Sequence, residues 1–178
     1  MRFKGTVVLI LFSAFAFGQN VEFKSSNFKD DKEGFKSAVN AISVGDEFLE
    51  LGNQAVVDVN NLKDHFQKAI YYYEQAYAFN PDNDELNYKL GNAYLYTNNK
   101  YKAKQFLDKA LQLNAEPEPK FYYYYAQALQ LEGNYKEAIQ NFNKFKLEAK
   151  SKRAEELKKF LNKYNKECKA APEIVNNP

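Results

Sequence analysis

The chain has 178 residues, with 25 basic and 23 acidic side chains, one cysteine and one histidine. Nearly balanced charge argues against nucleic acid as the main ligand, because phosphate binding needs a concentrated positive field. Because His65 is the only histidine, the sequence excludes a zinc site built from several histidines. It also excludes any catalytic triad that would use a different histidine as its base. The single cysteine excludes an internal disulfide. The sequence therefore predicts no catalytic site, no cofactor and no metal.

Residues 1–18 have the features of an export signal peptide. Arg2 and Lys4 form a basic region, the apolar run TVVLILFSAFAF follows, and Ala16 and Gly18 are the small residues that precede a cleavage site. The apolar run is shorter than the roughly 20 residues that span a membrane. We expect cleavage after Gly18 and a periplasmic or cell-envelope location. Removal of the two basic residues leaves a mature chain with 25 − 2 = 23 basic and 23 acidic side chains, which is formally neutral.

The polar residues 19–34 are predicted to be a flexible leader with a short turn of helix. From Phe35 onward the apolar residues recur with helical spacing. Gly52 is predicted to end this first helix, and Pro81 to end the second. The segment between them, residues 53–65, has no clear periodicity. His65 is expected to be exposed there, and Asn61 is expected to cap the second helix.

The central part of the chain contains two copies of one helix–turn–helix sequence pattern. The two copies are LNYKLGNAYLYTNNKYKAKQFLDKAL and KFYYYYAQALQLEGNYKEAIQNFNKF, and Ala103 in the first copy aligns with Ala138 in the second. A step of 34 residues back from Ala103 reaches Ala69 in a third, less regular copy. Alanine at these positions lets two antiparallel helices cross closely. The predicted hairpins span residues 35–82, 84–115 and 119–147.

This pattern resembles the tetratricopeptide repeat (TPR), whose period is 34 residues. The resemblance implies an all-α solenoid of three TPR-like hairpins, a right-handed superhelical stack that acts as a non-enzymatic interaction scaffold. The first hairpin carries an insertion, because Gly45 and Gly91 lie 46 residues apart, which is 34 plus 12. The insertion, residues 53–65, either lengthens the neighbouring helices or forms an ordered bulge.

A Lys-rich amphipathic helix is predicted at residues 151–170, where it would cap the exposed end of the stack. Cys168 continues its apolar stripe, so it is either a buried thiol or the site of an intermolecular disulfide. Residues 144–169 carry ten basic and four acidic side chains, a net charge of +6. This charge indicates a solvated face or, alternatively, an acidic partner or an anionic membrane surface. Residues 171–178 are predicted to be disordered.

The TPR resemblance also implies a concave groove lined by the first helix of each hairpin. Asn92 is of the residue type that hydrogen-bonds peptide backbones in many TPR proteins. The lysines of the carboxylate-clamp subclass are absent, because Ile42 and Tyr88 occupy their positions. The resemblance therefore implies a protein or peptide partner, and it places these residues in the groove: Val39, Ile42, Asp46, Leu49, Glu85, Tyr88, Asn92, Leu95, Tyr96, Lys120, Tyr123, Gln127 and Gln130.

The order of signal peptide, irregular first repeat, regular repeats and the tail ECKAAPEIVNNP also resembles the N-terminal region of Bacteroidetes-type cell-envelope proteins. In those proteins a TPR domain precedes a β-propeller and an OmpA-like domain, and some members serve gliding or type IX secretion. This resemblance implies a scaffold within an envelope complex. The alternatives are a self-associating spacer module or a fragment of a larger envelope protein. An enzyme with a small-molecule groove is not favoured.

Overall fold

The computed structural model describes residues 18–54 and 59–151. Within these ranges the chain forms one 3-10 turn and six α-helices, and it contains no β-strand. The predicted all-α class is confirmed. The signal sequence before Gly18, Cys168, the capping helix and the C-terminal tail lie outside the described residues, apart from Ser151. The helices are α1 (Lys32–Gln54), α2 (Val59–Phe79), α3 (Asp84–Leu95), α4 (Lys102–Leu113), α5 (Pro119–Leu131) and α6 (Tyr135–Ser151).

The six helices form three hairpins that stack in chain order. The most extensive packing joins α1 to α2, α3 to α4 and α5 to α6, and α3 also packs against α2 and α5. Ala69, Ala103 and Ala138 are all buried where the second helix of each hairpin meets its neighbours. A larger side chain at these positions would separate helices whose interior is already close-packed.

Side-chain amides organise the junction between the first two hairpins. Asn83 caps α3 by accepting a hydrogen bond from the backbone N–H of Leu86 at 2.8 Å. Asn87 is fully buried, and its amide donates to the backbone oxygens of Pro81 (2.8 Å) and Asn83 (2.7 Å). These two hydrogen bonds fix the turn after Pro81.

The described residues of the insertion, 53–54 and 59–65, extend the two helices of the first hairpin. The prediction that Gly52 ends α1 is wrong, since α1 continues to Gln54 and Gly52 is buried within it. Gly52 lies against the Phe66 ring, so its missing side chain serves the close approach of α2. The expected cap at Asn61 is also wrong, because α2 already begins at Val59.

The N-terminal leader is docked on the repeats, in contrast to the predicted flexible leader. The backbone N–H of Val21 donates to the oxygen of Asp82 at 2.7 Å, and the Asn80 amide donates to the oxygen of Val21 at 2.8 Å. The Asn20 amide donates to Asp84 Oδ1 at 2.8 Å. These bonds hold the leader against the turn between α2 and α3. The predicted short turn of helix is present at Ser25–Asn27.

The last described helix is longer than predicted. The sequence placed the end of the third hairpin at residue 147, but α6 continues without a break to Ser151. Its buried side includes Phe142 and Phe145, which pack against α5. In the part of the chain that the structure describes, no helix is long and apolar enough to cross a membrane.

Candidate functional site

A cavity of about 740 Å³ lies along the first helices of the three hairpins. Val39 and Ile42 come from α1, Tyr88 from the first turns of α3, and Phe121 from the start of α5. The docked leader closes one side with Phe23. We call this cavity the groove. Five predicted groove residues contribute to its lining: Val39, Ile42, Glu85, Tyr88 and Lys120.

The aromatic rings of Tyr88 and Phe121 form the apolar floor of the groove, and Tyr124, which is not among the lining residues, packs on Tyr88. The centroid of the Tyr88 ring lies 6.1 Å from that of Phe121 and 6.0 Å from that of Tyr124. Tyr88 is half-buried, whereas Phe121 and Tyr124 are buried. Such a cluster offers a rigid surface on which an apolar or planar group can pack at small entropic cost.

A charged group spans α1 and α3 beside this floor. The Lys89 ammonium lies 2.8 Å from Asp46 Oδ2 and 3.1 Å from Glu85 Oε1. The Tyr73 hydroxyl donates to the other Asp46 oxygen at 2.7 Å. Asp46 was predicted as a groove residue, and the structure places it at the centre of this network. Lys89 was not predicted, although its spacing of four residues from Glu85 is typical of a helical ion pair.

Two predicted groove residues, Asn92 and Gln127, are not among the residues that line the cavity, and each keeps a side-chain oxygen without a hydrogen-bond partner. The Asn92 amide group donates to the Tyr124 hydroxyl, and the Gln127 amide donates to the Tyr123 hydroxyl at 3.3 Å. Among the described residues, neither Asn92 Oδ1 nor Gln127 Oε1 has a partner, and both atoms are buried. A buried acceptor without a partner costs free energy, so these two amides lower the stability of the fold rather than offer an exposed binding group.

Tyr88 and the neighbouring Tyr124 remain protonated at neutral pH. Burial raises the pKa of Tyr124 to about 12, the hydrogen bond from Asn92 opposes this rise, and the negative charge of Glu50 adds to it. Burial raises the pKa of Tyr88 well above its ordinary value, and the charge of Glu85 contributes in the same direction. Both side chains therefore present neutral hydroxyl groups that can donate hydrogen bonds.

Several predicted groove residues have packing roles instead. Tyr123 does not line an open groove: it is fully buried, and its ring packs on those of Phe142 and Phe145 at 6.0 and 5.5 Å. The Tyr96 ring stacks on Phe66 at 4.6 Å and thereby joins α3 to α2. The remaining predicted residues, Leu49, Leu95 and Gln130, are half-buried.

The leader residues of the groove could not be recognised in the sequence. Asn20 and Phe23 line the cavity, but the leader has no helical or strand periodicity. Its signal is the presence of two phenylalanines, Phe23 and Phe28, in a largely polar segment. Their rings contact Phe79 at 6.5 and 5.0 Å, a long-range packing that no local pattern encodes.

A smaller cavity of about 350 Å³ lies between α1 and α2, outside the groove. Phe48 and Tyr72 stack at 5.8 Å, and the Lys68 ammonium lies 5.4 Å from the centre of the Phe48 ring. His65 was expected to be exposed, but it is half-buried on α2 with its ring 6.3 Å from Phe48. The histidine therefore packs against an aromatic ring in the first hairpin.

The described residues contain no cluster of three histidine, cysteine, aspartate or glutamate side chains that could hold a metal ion. The groove offers packing surfaces, paired charges and amide groups. These groups can bind a ligand by contact and hydrogen bonding.

The fold and groove define a helical-repeat protein with a ligand-sized concavity on the first helices of its hairpins. The tetratricopeptide repeat family model matches residues 63–120, which include most of α2, the whole of the second hairpin and the start of α5. The match supports the interpretation of the chain as a TPR protein. Modules of this family are generally protein–protein interaction modules and are typically not enzymes. No curated protein matches the chain.

Proposed function

We propose that the groove binds an extended segment of a partner protein. The observation that carries this proposal is a cavity of about 740 Å³ along the first helices of the hairpins, lined by the aromatic side chains of Tyr88 and Phe121 together with charged and amide side chains. The tetratricopeptide repeat match supports the same class of ligand. The aromatic floor would pack on apolar side chains of the segment.

The floor would supply most of the affinity. Aromatic side chains near the centre of an interface are frequent hot spots, and their truncation typically costs about 2 kcal/mol or more. Tyr88 is the best candidate, because it is only half-buried in the free protein and contacts both Phe121 and Tyr124. Tyr123 is excluded from this role, since it is already buried.

We further propose that the protein is exported and acts as a scaffold in a cell-envelope complex. The signal-like residues 1–18 and the resemblance to Bacteroidetes-type envelope proteins support this location. Fractionation of cells of its own source tests the location, and N-terminal sequencing tests the cleavage. We expect the protein in the envelope fraction with Gln19 as its first residue. A cytoplasmic protein that retains Met1 would contradict the proposed location.

Site-specific photo-crosslinking tests the binding site in cells. A photoreactive amino acid replaces Val39, which is 39% exposed in the groove, and in a matched strain it replaces Ile139, which is 41% exposed on α6. We expect one adduct of defined mass from position 39 and none from position 139. Equal labelling at both positions would contradict a groove site. An adduct of twice the mass of the chain would favour self-association, which is the main alternative.

The variant Tyr88→Ala completes the test. We expect the adduct at position 39 to fall at least about tenfold, since loss of a central aromatic contact weakens binding by about this factor or more. Circular dichroism must show unchanged helix content in the variant. An undiminished adduct in a folded variant would mean that the aromatic floor does not bind the partner.

A further inference from the structure

The docked leader forms one wall of the groove, and Phe23 is at the centre of that wall. The backbone N–H of Lys24 donates to the oxygen of Glu22 at 2.8 Å, so Phe23 is the central residue of a three-residue turn. The Asn27 amide also donates to the Glu22 oxygen, at 2.9 Å. Together with the bonds of Val21 to the turn between α2 and α3, these contacts fix the backbone on both sides of Phe23.

The Phe23 ring packs on other rings but remains partly exposed in the cavity. Its centroid lies 5.9 Å from that of Phe28 in the leader and 6.5 Å from that of Phe79 at the end of α2. Phe28 and Phe79 are not among the residues that line the cavity, whereas Phe23 is a lining residue and is half-buried. Because its position is already fixed in the free protein, a ligand can pack on this ring at small entropic cost.

Most charged side chains of the lining are already paired within the chain. The Lys89 ammonium lies 3.1 Å from Glu85 Oε1, and Lys24 is paired with Glu22. The Asp84 carboxylate accepts hydrogen bonds from two amide side chains, at 2.8 and 2.7 Å. A charged ligand would have to break these contacts, whereas an apolar ligand displaces only water from the partly exposed apolar side chains of the lining. Those side chains are Phe23, Val39, Ile42 and Tyr88.

We propose that Phe23 is a specificity-determining residue of the groove, which packs on an aromatic side chain of the bound segment. The inference rests on the proposed function, adds the leader to the binding site and specifies the anchor of the ligand. Ile42 on α1 and Tyr88 on α3 line the same cavity, so the anchor would contact the leader and two hairpins together. An aromatic anchor suits this site, because pairs of aromatic rings gain more free energy than their buried area alone provides.

Titration of the 15N-labelled protein, purified from cells of its own source, with N-acetyl-phenylalanine amide tests the anchor site by two-dimensional NMR. N-acetyl-alanine amide is the control probe, since it has the same backbone groups without the ring. We expect saturable shifts at the backbone N–H groups of residues 22–24 and Tyr88, and none at Lys29 or Ile139, which lie outside the cavity. The phenylalanine amide should bind at least about threefold more tightly than the alanine amide. High salt should not weaken its binding, because contacts between rings are not screened.

Two leucine substitutions separate contact with the ligand from docking of the leader. Phe23→Leu removes the ring that lines the cavity, and Phe28→Leu removes a ring that packs on it outside the cavity. We expect affinity for the phenylalanine amide to fall at least about threefold in Phe23→Leu and to stay unchanged in Phe28→Leu. Hydrogen exchange at the Val21 N–H measures docking in both variants. Equal losses of affinity in the two variants would overturn the inference, because Phe23 would then act only through docking.

Photo-crosslinking in cells extends the test to the natural partner. Lys24 lines the cavity, whereas Lys29 is an exposed residue of the same leader outside the lining. A photoreactive amino acid at position 24 should give an adduct of the same mass as that from position 39, and one at position 29 should give none. Equal labelling at positions 24 and 29 would contradict a specific contact of the leader wall with the partner.

Three results of the titration would overturn the inference: equal binding of the two amides, shifts that leave residues 22–24 unaffected, or no saturable shift at all. The cross-linking experiment at Val39 depends on neither Phe23 nor an aromatic anchor. An adduct at position 39 that Tyr88→Ala weakens, together with a leader that does not respond to the phenylalanine amide, would leave the proposed function standing and remove only this inference.

Discussion

A methyl group on Gly45 would lie 2.5 Å from the ring of Tyr73. The second hairpin repeats this relationship, since a methyl group on Gly91 would lie 2.5 Å from the side chain of Leu107. In both hairpins a large residue of the second helix packs directly on the backbone of the first helix. This close approach sets the spacing of α1 from α2 and of α3 from α4, and hence the positions of the first helices that line the groove.

The first prediction concerns this contact. Gly45→Ala should lower the free energy of unfolding by about 1–2 kcal/mol, because overpacking of the Tyr73 ring outweighs the better helix propensity of alanine. Urea denaturation measures the change. Ser43→Ala, on the exposed side of the same helix, is the control and should change stability by less than about 0.5 kcal/mol. A more stable Gly45→Ala protein would contradict the close approach.

The second prediction concerns the turn between α5 and α6. Gly133 has φ of 79°, and the backbone N–H groups of Gly133 and Asn134 donate to the oxygens of Gln130 and Leu129. This pattern is a Schellman motif, in which a left-handed residue ends the helix. Gly133→Ala should lower the thermal midpoint, with a loss of about 1 kcal/mol, because no other atom lies within 4 Å of the new methyl group and only backbone strain contributes.

The substitution Gly133→Asn provides the matched comparison. Asparagine tolerates the left-handed region better than alanine, so its thermal midpoint should lie between those of the glycine and alanine proteins. Equal losses for alanine and asparagine would indicate that a factor other than φ determines the effect.

The third prediction tests the docking of the leader. The Phe28 ring lies 5.0 Å from Phe79 and 5.6 Å from Phe35, and it joins the leader to α1 and α2. Phe28→Ala should reduce stability by about 2 kcal/mol, less than for a fully buried phenylalanine because Phe28 is half-buried. Hydrogen exchange should also become faster at the Val21 N–H, which donates to Asp82.

Ser26→Ala, in the exposed 3-10 turn, is the control for this prediction. It should change neither stability nor exchange, since only its side-chain contact with the neighbouring Asn27 is lost. Unchanged protection of Val21 in Phe28→Ala would mean that the hydrogen bonds alone hold the leader.

The sequence was sufficient to predict the hairpins because their physical signals are local and periodic. Ala69, Ala103 and Ala138 recur where helices cross, and all three are buried. The turn at Gly133 was likewise predictable, since glycine is the residue that favours φ above zero. The function of Gly52 was not predictable, because a glycine that ends a helix and one that admits a ring such as Phe66 look alike in one sequence.

The groove was only partly predictable, because helical spacing identifies a face but not what covers that face. Tyr88 and Tyr123 occupy equivalent positions, 35 residues apart. The neighbours differ: Tyr88 stays half-buried on the groove floor, whereas Phe142 and Phe145 cover Tyr123. The leader was not predicted at all as part of the groove, since its position depends on contacts more than 50 residues away in sequence, such as that of Val21 with Asn80.

The last prediction concerns alkaline pH. The structure raises the pKa of five tyrosines above the ordinary value of 10, chiefly through burial, and for three of them through hydrogen bonds to carboxylates as well. In the unfolded chain these side chains lose their protons near pH 10, while in the folded protein they keep them. The folded state then binds more protons, so stability must fall as the pH rises above 10. The five residues are Tyr73, Tyr88, Tyr94, Tyr124 and Tyr125.

Urea denaturation between pH 8 and pH 12 measures this loss. We expect constant stability up to about pH 9 and a steep decrease above pH 10, to which a fully buried tyrosine such as Tyr73 contributes at most about 1.4 kcal/mol per pH unit. The contribution of Tyr124 should end near pH 12, where its folded form also ionises. Tyr73→Phe loses the hydrogen bond to Asp46 and starts less stable, but its slope above pH 10 should be shallower. A slope equal to that of the unchanged protein would mean that Tyr73 ionises at the same pH in the folded and unfolded chain.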